Sequence, residues 1–357
     1  DCLRYWVTTY RVDGFRFDLA SILGRDENGA PMVSPPLLQA MAFDPILGDV
    51  KLIAEAWDAG GLYQVGSFPA WNRWAEWNGR YRDDMRRYIK GDEGMAQAAA
   101  LRLTGSKDLY DTQARRNASV NFLTCHDGFT LHDLYAYNDK HNEKNGWNNT
   151  DGANDNNSWN CGVEGETDDP GVNALRERMV RNAITLLMCS RGIPMFLAGD
   201  EFGNTQHGNN NAYCQDNATS WLDWSLLEKN RGLFEFFRYM IRFRKAHRVL
   251  RANTNNGACG FPDVSFHGTA PWKEEFGGHD HYVGVMFAGW ERESGPQVVY
   301  VASNAYWCEL EAELPQLPAS MSWHLVVSTW QEEQGAYLQR GNRFTIGPRS
   351  VLVFEAK

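Results

Sequence analysis

The sequence lacks several features that would place it in a common class of protein. Its 357 residues include seven cysteines, an odd number without a CxxC pair, which favours reduced thiols in a cytosol-like compartment over a disulfide framework. No apolar run approaches the length of a membrane span, and no basic stripe accompanies the formal net charge of −10. We therefore expect a cytoplasmic protein with neither nucleic acid nor a membrane as partner.

Motifs for nucleotide, serine-hydrolase and metal chemistry are also missing. The sequence contains no phosphate-binding loop, no GxGxxG and no GxSxG. His126 and His132 have no third ligand at a recognisable spacing, and Asp151–Asp155 lacks the register of a calcium-binding loop. We expect neither a metal nor a cofactor.

Strands and helices alternate over the first 250 residues. Apolar strands that alternate with helices and are buried on both faces are typical of a parallel α/β sheet or a barrel of that type. The predicted strands are Val12–Phe17, Val50–Ala54, Ser119–Cys125 and Ile193–Ala198, and the predicted helices are Leu3–Thr9, Leu37–Phe43, Arg80–Lys90, Met95–Leu103, Val172–Ser190 and Arg231–His247.

The pattern changes after residue 250. Short segments of alternating polarity are now separated by Gly, Pro and Asn turns, which predicts a small antiparallel β-sandwich over residues 251–357. The segments are Tyr282–Ala288, Val298–Ser303, Cys308–Leu314, Trp323–Ser328 and Ser350–Phe354.

Two of the predicted strands end in a carboxylate. Asp18 follows the first strand and Glu55 follows the second, 37 residues later, a spacing that suits one βαβ unit of roughly 30 residues or more. Successive strand ends share one rim, so both carboxylates can face a common pocket, as acetal hydrolysis requires. Considered singly, Asp18 is equally well a structural partner of Arg16, and Glu55 an ordinary residue of a polar rim.

The neighbours of the two carboxylates suggest different protonation states. Arg16 lies two residues before Asp18, on the same strand face, and should keep that carboxylate ionised as a nucleophile. Glu55 lies between Ala54 and Ala56, and apolar surroundings together with the charge of Asp18 should raise its pKa. At a third strand end, His126 and Asp127 offer an imidazole and a carboxylate, and hydrogen bonding to sugar hydroxyls suits His126.

These runs resemble segments of a known family, the isoamylase-type glycogen debranching enzymes of the α-amylase superfamily (glycoside hydrolase family 13). Val12–Asp18 resembles the family's nucleophile strand, Leu52–Glu55 its acid/base strand, and Phe122–Asp127 the strand of its transition-state stabiliser. The debranching subgroup is suggested by longer stretches at Trp57–Gly66, His126–Leu131, Ala198–Glu201 and Gln206–Cys214.

The resemblance implies a reaction and a role for each residue. The reaction is retaining hydrolysis of α-1,6 branch linkages in a branched α-glucan such as glycogen, amylopectin or limit dextrin. An α-1,4-acting amylase, a transglycosidase, or a non-catalytic glucan-binding subunit stays open as an alternative. The implied catalytic residues are Asp18 (nucleophile), Glu55 (proton donor) and Asp127 (stabiliser), and the implied substrate-binding residues are Arg16, His126 and Trp57. We also expect one or two of Trp57, Trp71, Trp74 and Trp77 to stack on glucose units.

The implied fold is the C-terminal part of a (β/α)8 TIM-type barrel followed by a small antiparallel β-sandwich. The family's barrel has eight strand–helix units, and this chain holds the last five, from the nucleophile strand onward. The family's earlier Asn-His strand motif and its N-terminal β-domain are absent. We therefore expect residues 1–250 to form a partial catalytic barrel that needs its other half for activity, and residues 251–357 to form the sandwich.

Overall fold

The first part of the chain forms a parallel sheet whose five strands lie side by side in chain order. The structure is a computed structural model that describes residues 1–110, 118–251, 257–291, 295–330 and 337–357. Because the strands run parallel, their carboxyl ends meet at one rim. The strands are β1 (Gly14–Phe17), β2 (Lys51–Ala54), β3 (Trp74–Trp77), β4 (Ser119–Phe122) and β5 (Ile193–Met195).

Helices lie in three of the four connections between these strands, before β1 and after β5, and the start of the longest carries the signals typical of a helix N-terminus. The side chain of Asp169 accepts from the amides of Gly171 and Val172 at the start of the longest of these helices, which has Pro170 as its first residue. Among the described helices, none combines the length and the apolar composition needed to cross a membrane. The helices are α1 (Cys2–Tyr10), α2 (Pro36–Ala42), α3 (Gly79–Lys90), α4 (Ala96–Leu103), α5 (Lys107–Tyr110), α6 (Pro170–Cys189), α7 (Ser225–Lys229) and α8 (Arg231–Ala246).

The sequence predicted four of the five parallel strands and missed β3. That strand has only four residues, and one of them is Glu76, whose charge argues against burial. The structure nevertheless buries Glu76 completely, and its carboxylate accepts a hydrogen bond from the amide of Gly66 at 2.6 Å. The hydrogen bond from Gly66, which lies outside the strand, therefore allows a strand that the local sequence pattern does not predict.

The second part of the chain is antiparallel. Six strands pair in the order β11-β10-β13-β8-β7-β6, and β12 pairs with β9. All five segments predicted after residue 250 are strands here, whereas β6, β11 and β12 were not predicted. The strands are β6 (Val264–His267), β7 (Tyr282–Glu291), β8 (Gly295–Asn304), β9 (Leu310–Glu313), β10 (Trp323–Ser328), β11 (Tyr337–Leu338), β12 (Arg343–Ile346) and β13 (Ser350–Ala356).

One apolar core joins the helices to the antiparallel sheet. Buried residues of α6 and α8, such as Leu187 and Phe237, belong to the same cluster as Val285 and Val301 of β7 and β8. The hydroxyl of Tyr88 in α3 donates to the carbonyl of Ser303 at 3.0 Å. The antiparallel sheet therefore packs against the helices. The polar side chains of the candidate site lie at the rim of the parallel sheet.

Candidate active site

Asp18 and Glu55 meet at the rim of the parallel sheet. β1 and β2 pair with Phe17 opposite Ala54, so the residue that follows each strand lies at the same level. One carboxylate oxygen of Asp18, one of Glu55 and one ring nitrogen of His126 all lie within 4.8 Å of one another. The structure thus brings together two of the three expected catalytic carboxylates, together with the expected imidazole.

Arg16 links the two carboxylates. Its Nη1 atom donates to Oδ1 of Asp18 at 2.6 Å, and its Nη2 atom donates to Oε1 of Glu55 at 2.7 Å. The shared strand face of Arg16 and Asp18 was predicted, and it is confirmed. The bond to Glu55 was not predicted, because it depends on the pairing of β1 with β2. Charge-assisted bonds of this length are among the stronger hydrogen bonds in proteins.

The two carboxylates differ sharply in exposure. The side chain of Asp18 is 66% exposed, whereas that of Glu55 is 5% exposed. Burial raises the pKa of Glu55, and the nearby charge of Asp18 raises it further, against the opposing effects of the Leu19 amide, Arg16 and His126. The net direction is upward, so the predicted rise in the pKa of Glu55 is confirmed.

A backbone amide completes the environment of Glu55. The amide of Leu19 donates to Oε2 of Glu55 at 2.7 Å, so both oxygens of this carboxylate are held. Leu19 has φ 42° and ψ 46°, a left-handed conformation that side-chain-bearing residues rarely adopt. Such conformations concentrate at functional sites, where the surrounding structure enforces them. A backbone donor leaves no signal in the sequence, and this contact was therefore missed.

His126 and Asp127 reach the same rim from the end of β4. The Nε2 atom of His126 lies 3.4 Å from Oδ2 of Asp127, and their side chains are 49% and 66% exposed. Asp127 therefore adjoins the Asp18–Glu55 pair through His126. The following residue, Gly128, has φ 90° and donates its amide to the carbonyl of Asn210 at 2.9 Å, which fixes the turn after Asp127.

The four tryptophans near the acid/base strand have different environments. Trp57 is half-buried and stacks on Tyr63, which is 44% exposed, with ring centroids 6.0 Å apart and planes 12° apart. Trp71 is half-buried and packs edge-on against Phe43. Trp74 and Trp77 are buried, which leaves neither with a free face for a sugar ring. Stacking on glucose stays a prediction for Trp57 and Trp71.

A partly buried ion pair between Arg25 and Asp58 joins the loops that follow β1 and β2. Asp58 accepts from Nε of Arg25 at 2.6 Å and from Nη2 at 3.0 Å, and it also accepts from the amides of Gly60 and Leu62. The hydrogen bond from Arg25 is the main reason why the pKa of Asp58 falls to about 2. The pair holds the loop that presents Trp57. The sequence interpretation included Asp58 in a debranching-type stretch but missed Arg25.

The group of Asp18, Glu55 and His126 has the donor atoms of a metal site. A cationic guanidinium already bonds both carboxylates, however, so a metal ion at this point would have to compete with Arg16. The absence of a metal stays a prediction. A separate cavity of about 1030 Å³ is lined by Asp200, Asn204 and Trp221 among others, and none of the six expected site residues lines it.

Relatives of the chain were found by sequence and by structure. The chain is 46% identical to isoamylase 3, chloroplastic, of Oryza sativa subsp. japonica, in a match that covers 100% of this chain and 45% of that protein. It is 50% identical to the glycogen debranching enzyme of Erwinia tasmaniensis over 69% of this chain and 37% of that protein. A solved pullulanase type I of Bacillus subtilis, complexed with maltose, matches with TM-score 0.69 and 18% identity over 99% of this chain and 45% of that one.

These matches differ in what they establish. The pullulanase likeness shows that the chain has the same α/β fold. The sequence matches show relatedness to the isoamylases and glycogen debranching enzymes. No protein-family profile matches the chain. The chain spans about half the length of the curated relatives it matches.

Proposed function

Because the chain is related over its whole length to the isoamylase-type debranching enzymes, we propose that it carries the catalytic carboxylates of such an enzyme. The proposed reaction is hydrolysis of α-1,6 branch linkages in glycogen- or amylopectin-type glucans. The observation that carries the proposal is the approach of Asp18 to Glu55 within 4.8 Å, with Arg16 bonded to both.

The proposed mechanism is a double displacement. Asp18 attacks the anomeric carbon while Glu55 gives its proton to the leaving oxygen, and a covalent glycosyl-enzyme forms. Glu55 then removes a proton from the water that releases the sugar. Retaining enzymes hold their two carboxyl groups about 5–5.5 Å apart and inverting enzymes about 6.5–9.5 Å apart. The short separation between Asp18 and Glu55 supports retention.

The remaining residues are proposed to bind the glucan. Asp127 would accept hydrogen bonds from sugar hydroxyls, more strongly as positive charge develops on the ring. The exposed imidazole of His126 would bond a further hydroxyl, and the half-buried face of Trp57 would stack on a glucose unit. The side chains of Asp127 and His126 are solvent-exposed, which supports a role in contact with substrate.

We also propose that the parallel sheet is five strands of a (β/α)8 barrel and that the antiparallel sheets form a C-terminal sandwich, with a boundary near residue 250. The surface of α1, the helix before β1, supports the proposal that a further segment packs there. This helix contributes no buried residue and exposes Tyr5, Trp6 and Tyr10. Co-expression with the preceding half of a full-length relative tests this proposal. A stable complex with debranching activity is expected, and failure to associate would contradict it.

The substitution Glu55→Gln in a full-length enzyme tests the assignment. Loss of the proton donor should lower turnover on glycogen by about 10²- to 10⁴-fold. Glu93→Gln, at an exposed glutamate, serves as the matched control and should leave turnover unchanged. Unchanged turnover in Glu55→Gln, with the unfolding midpoint preserved, would contradict the role of Glu55.

The choice of substrate separates the proposal from its rivals. A debranching enzyme releases linear chains from branched glucan and leaves linear amylose intact, whereas an α-1,4-acting relative cleaves amylose. A non-catalytic subunit does neither. The compartment stays a prediction: we propose the cytoplasm, although the name of the similar rice protein places that protein in the chloroplast.

A further inference from the structure

We propose that Trp77 is a positioning residue for the two carboxylates and that it acts through Arg16. Trp77 is the last residue of β3 and is 9% exposed. The Cζ atom of Arg16 lies 3.9 Å from the centroid of the Trp77 ring. The same indole lies 5.8 Å, centroid to centroid, from the ring of His126. One buried side chain thus contacts the groups that flank the Asp18–Glu55 pair.

The bonding of Arg16 leaves its orientation dependent on this indole. The two Nη atoms are used by the carboxylates, and Nε is buried with no hydrogen-bond partner among the described residues. No hydrogen bond from Nε therefore fixes the guanidinium plane. Guanidinium groups stack on aromatic faces through cation–π and planar contact. Stacking on Trp77 therefore adds to the two Nη hydrogen bonds in setting the plane in which Arg16 points to Asp18 and Glu55.

Trp74 provides a comparison within the same strand. Residues three apart on a strand face opposite sides, so the two indoles leave the sheet in different directions. Trp74 packs against Phe17 and Phe68, with ring centroids 4.9 Å and 5.6 Å away, and is 2% exposed. Trp77 also has apolar neighbours, among them Phe122 with ring centroids 5.5 Å apart, but it differs from Trp74 in carrying the guanidinium of Arg16 on its face.

Displacement of Arg16 would affect both carboxylates at once. Catalysis requires the nucleophile and the acid to be held in register with the reacting bond, and misplacement by about 1 Å can cost about 10²-fold in rate. Loss of the indole should therefore reduce kcat, while KM, which depends on contacts along the glucan, should change little. This expectation rests on the proposed function.

The test is a double-mutant cycle in the full-length enzyme, with Trp77→Leu combined with Arg16→Lys. Trp77→Leu should lower kcat by about 2- to 30-fold, the range that a cation–π contact of this kind is worth. Trp77→Phe keeps an aromatic face and should retain most of the activity. In the Arg16→Lys background the effect of Trp77→Leu should shrink to within about twofold.

A second cycle, by urea unfolding of the chain itself, needs no activity. Trp77→Leu and Arg16→Lys should be coupled in the free energy of unfolding, whereas Trp74→Leu, the matched control, should add to Arg16→Lys without coupling. Additive effects of Trp77→Leu and Arg16→Lys in both cycles, or an effect of Trp77→Leu on KM alone, would overturn the proposal. If the parent enzyme does not debranch glucan, the proposed function fails, and the unfolding cycle still decides the role of Trp77.

Discussion

Two parts of the rim of the parallel sheet differ in how their side chains are held. We call the ends of β1 and β2, where Glu55 is buried and bonded, the closed end, and the end of β4, where the side chains are exposed, the open end. At the closed end, Arg16 and the amide of Leu19 hold Glu55, and the side chain of Glu55 is 5% exposed. At the open end, His126 and Asp127 lie in solvent, 3.4 Å from each other. Glu55 is therefore held in place by the fold, whereas the side chain of Asp127, like that of Asp18, is exposed and can meet the sugar.

The two ends differ in how much their residues contribute to the stability of the fold. Burial of Glu55 is compensated by one ion pair and one backbone hydrogen bond, so a change there affects both stability and chemistry. A change at the exposed Asp127 should affect the proposed contacts with the sugar and leave stability nearly unchanged. Substitutions at the two ends of the rim should therefore give different combinations of turnover and stability.

Among the substitutions that compare the two ends, the largest effect is expected from Arg16→Leu, which removes the hydrogen bonds to Asp18 and Glu55 and leaves Glu55 with the amide of Leu19. Turnover should fall by about 10²- to 10³-fold, as when a donor to a developing charge is lost. The free energy of unfolding should fall by about 1–3 kcal/mol, because Oε1 of the buried Glu55 loses its partner. Urea unfolding and glycogen assays measure the two effects. Arg238→Leu, at the exposed Arg238–Glu235 pair, is the control and should cost no more than about 1 kcal/mol.

Asp127→Asn tests the open end and should have a smaller effect. Loss of charged hydrogen bonds to the sugar should lower kcat by about 10- to 150-fold, and the free energy of unfolding should stay within about 0.5 kcal/mol of the parent value. The same two assays apply. A loss of stability as large as that of Arg16→Leu would show that the end of β4 is not the open part of the rim.

The raised pKa of Glu55 predicts a pH dependence of stability. The folded chain binds a proton at Glu55 above the ordinary pKa of 4.5, where the unfolded chain has released it. Stability from this group is therefore present below pH 4.5 and is lost as pH rises through the raised pKa. Urea unfolding from pH 4 to 7 should show this loss in the parent, and Glu55→Gln should remove it. Identical pH profiles in the two proteins would contradict the raised pKa.

At Asp58 the pH dependence of stability should have the opposite sign. Its pKa is lowered from 3.8 to about 2, so its contribution to stability is present above pH 3.8 and is lost as pH falls through about 2. Asp58→Asn should flatten the pH dependence of unfolding in this window. A pH dependence of unfolding as steep in Asp58→Asn as in the parent would contradict the role of the Arg25–Asp58 ion pair in joining the two loops.

The sequence predicted the closed end of the rim only in outline. Asp18 and Glu55 were found because each follows an apolar run, and a strand end fixes where a side chain lies. The contacts that distinguish the two ends were not found. The amide of Leu19 carries no side-chain signal, and the stacking of Arg16 on Trp77 depends on β3, a strand whose buried Glu76 hides it from pattern analysis.

The direct test of the account is to trap the covalent intermediate in a full-length enzyme with a fluorinated glucosyl donor that slows its hydrolysis. Trypsin cleavage after Arg16 and Arg25 releases residues 17–25, in which Asp18 is the only side-chain carboxylate. We expect mass spectrometry to find one added glycosyl group on this peptide, retained configuration in the product, and no label in Asp18→Asn. A label on another carboxylate, or an inverted product, would contradict the account.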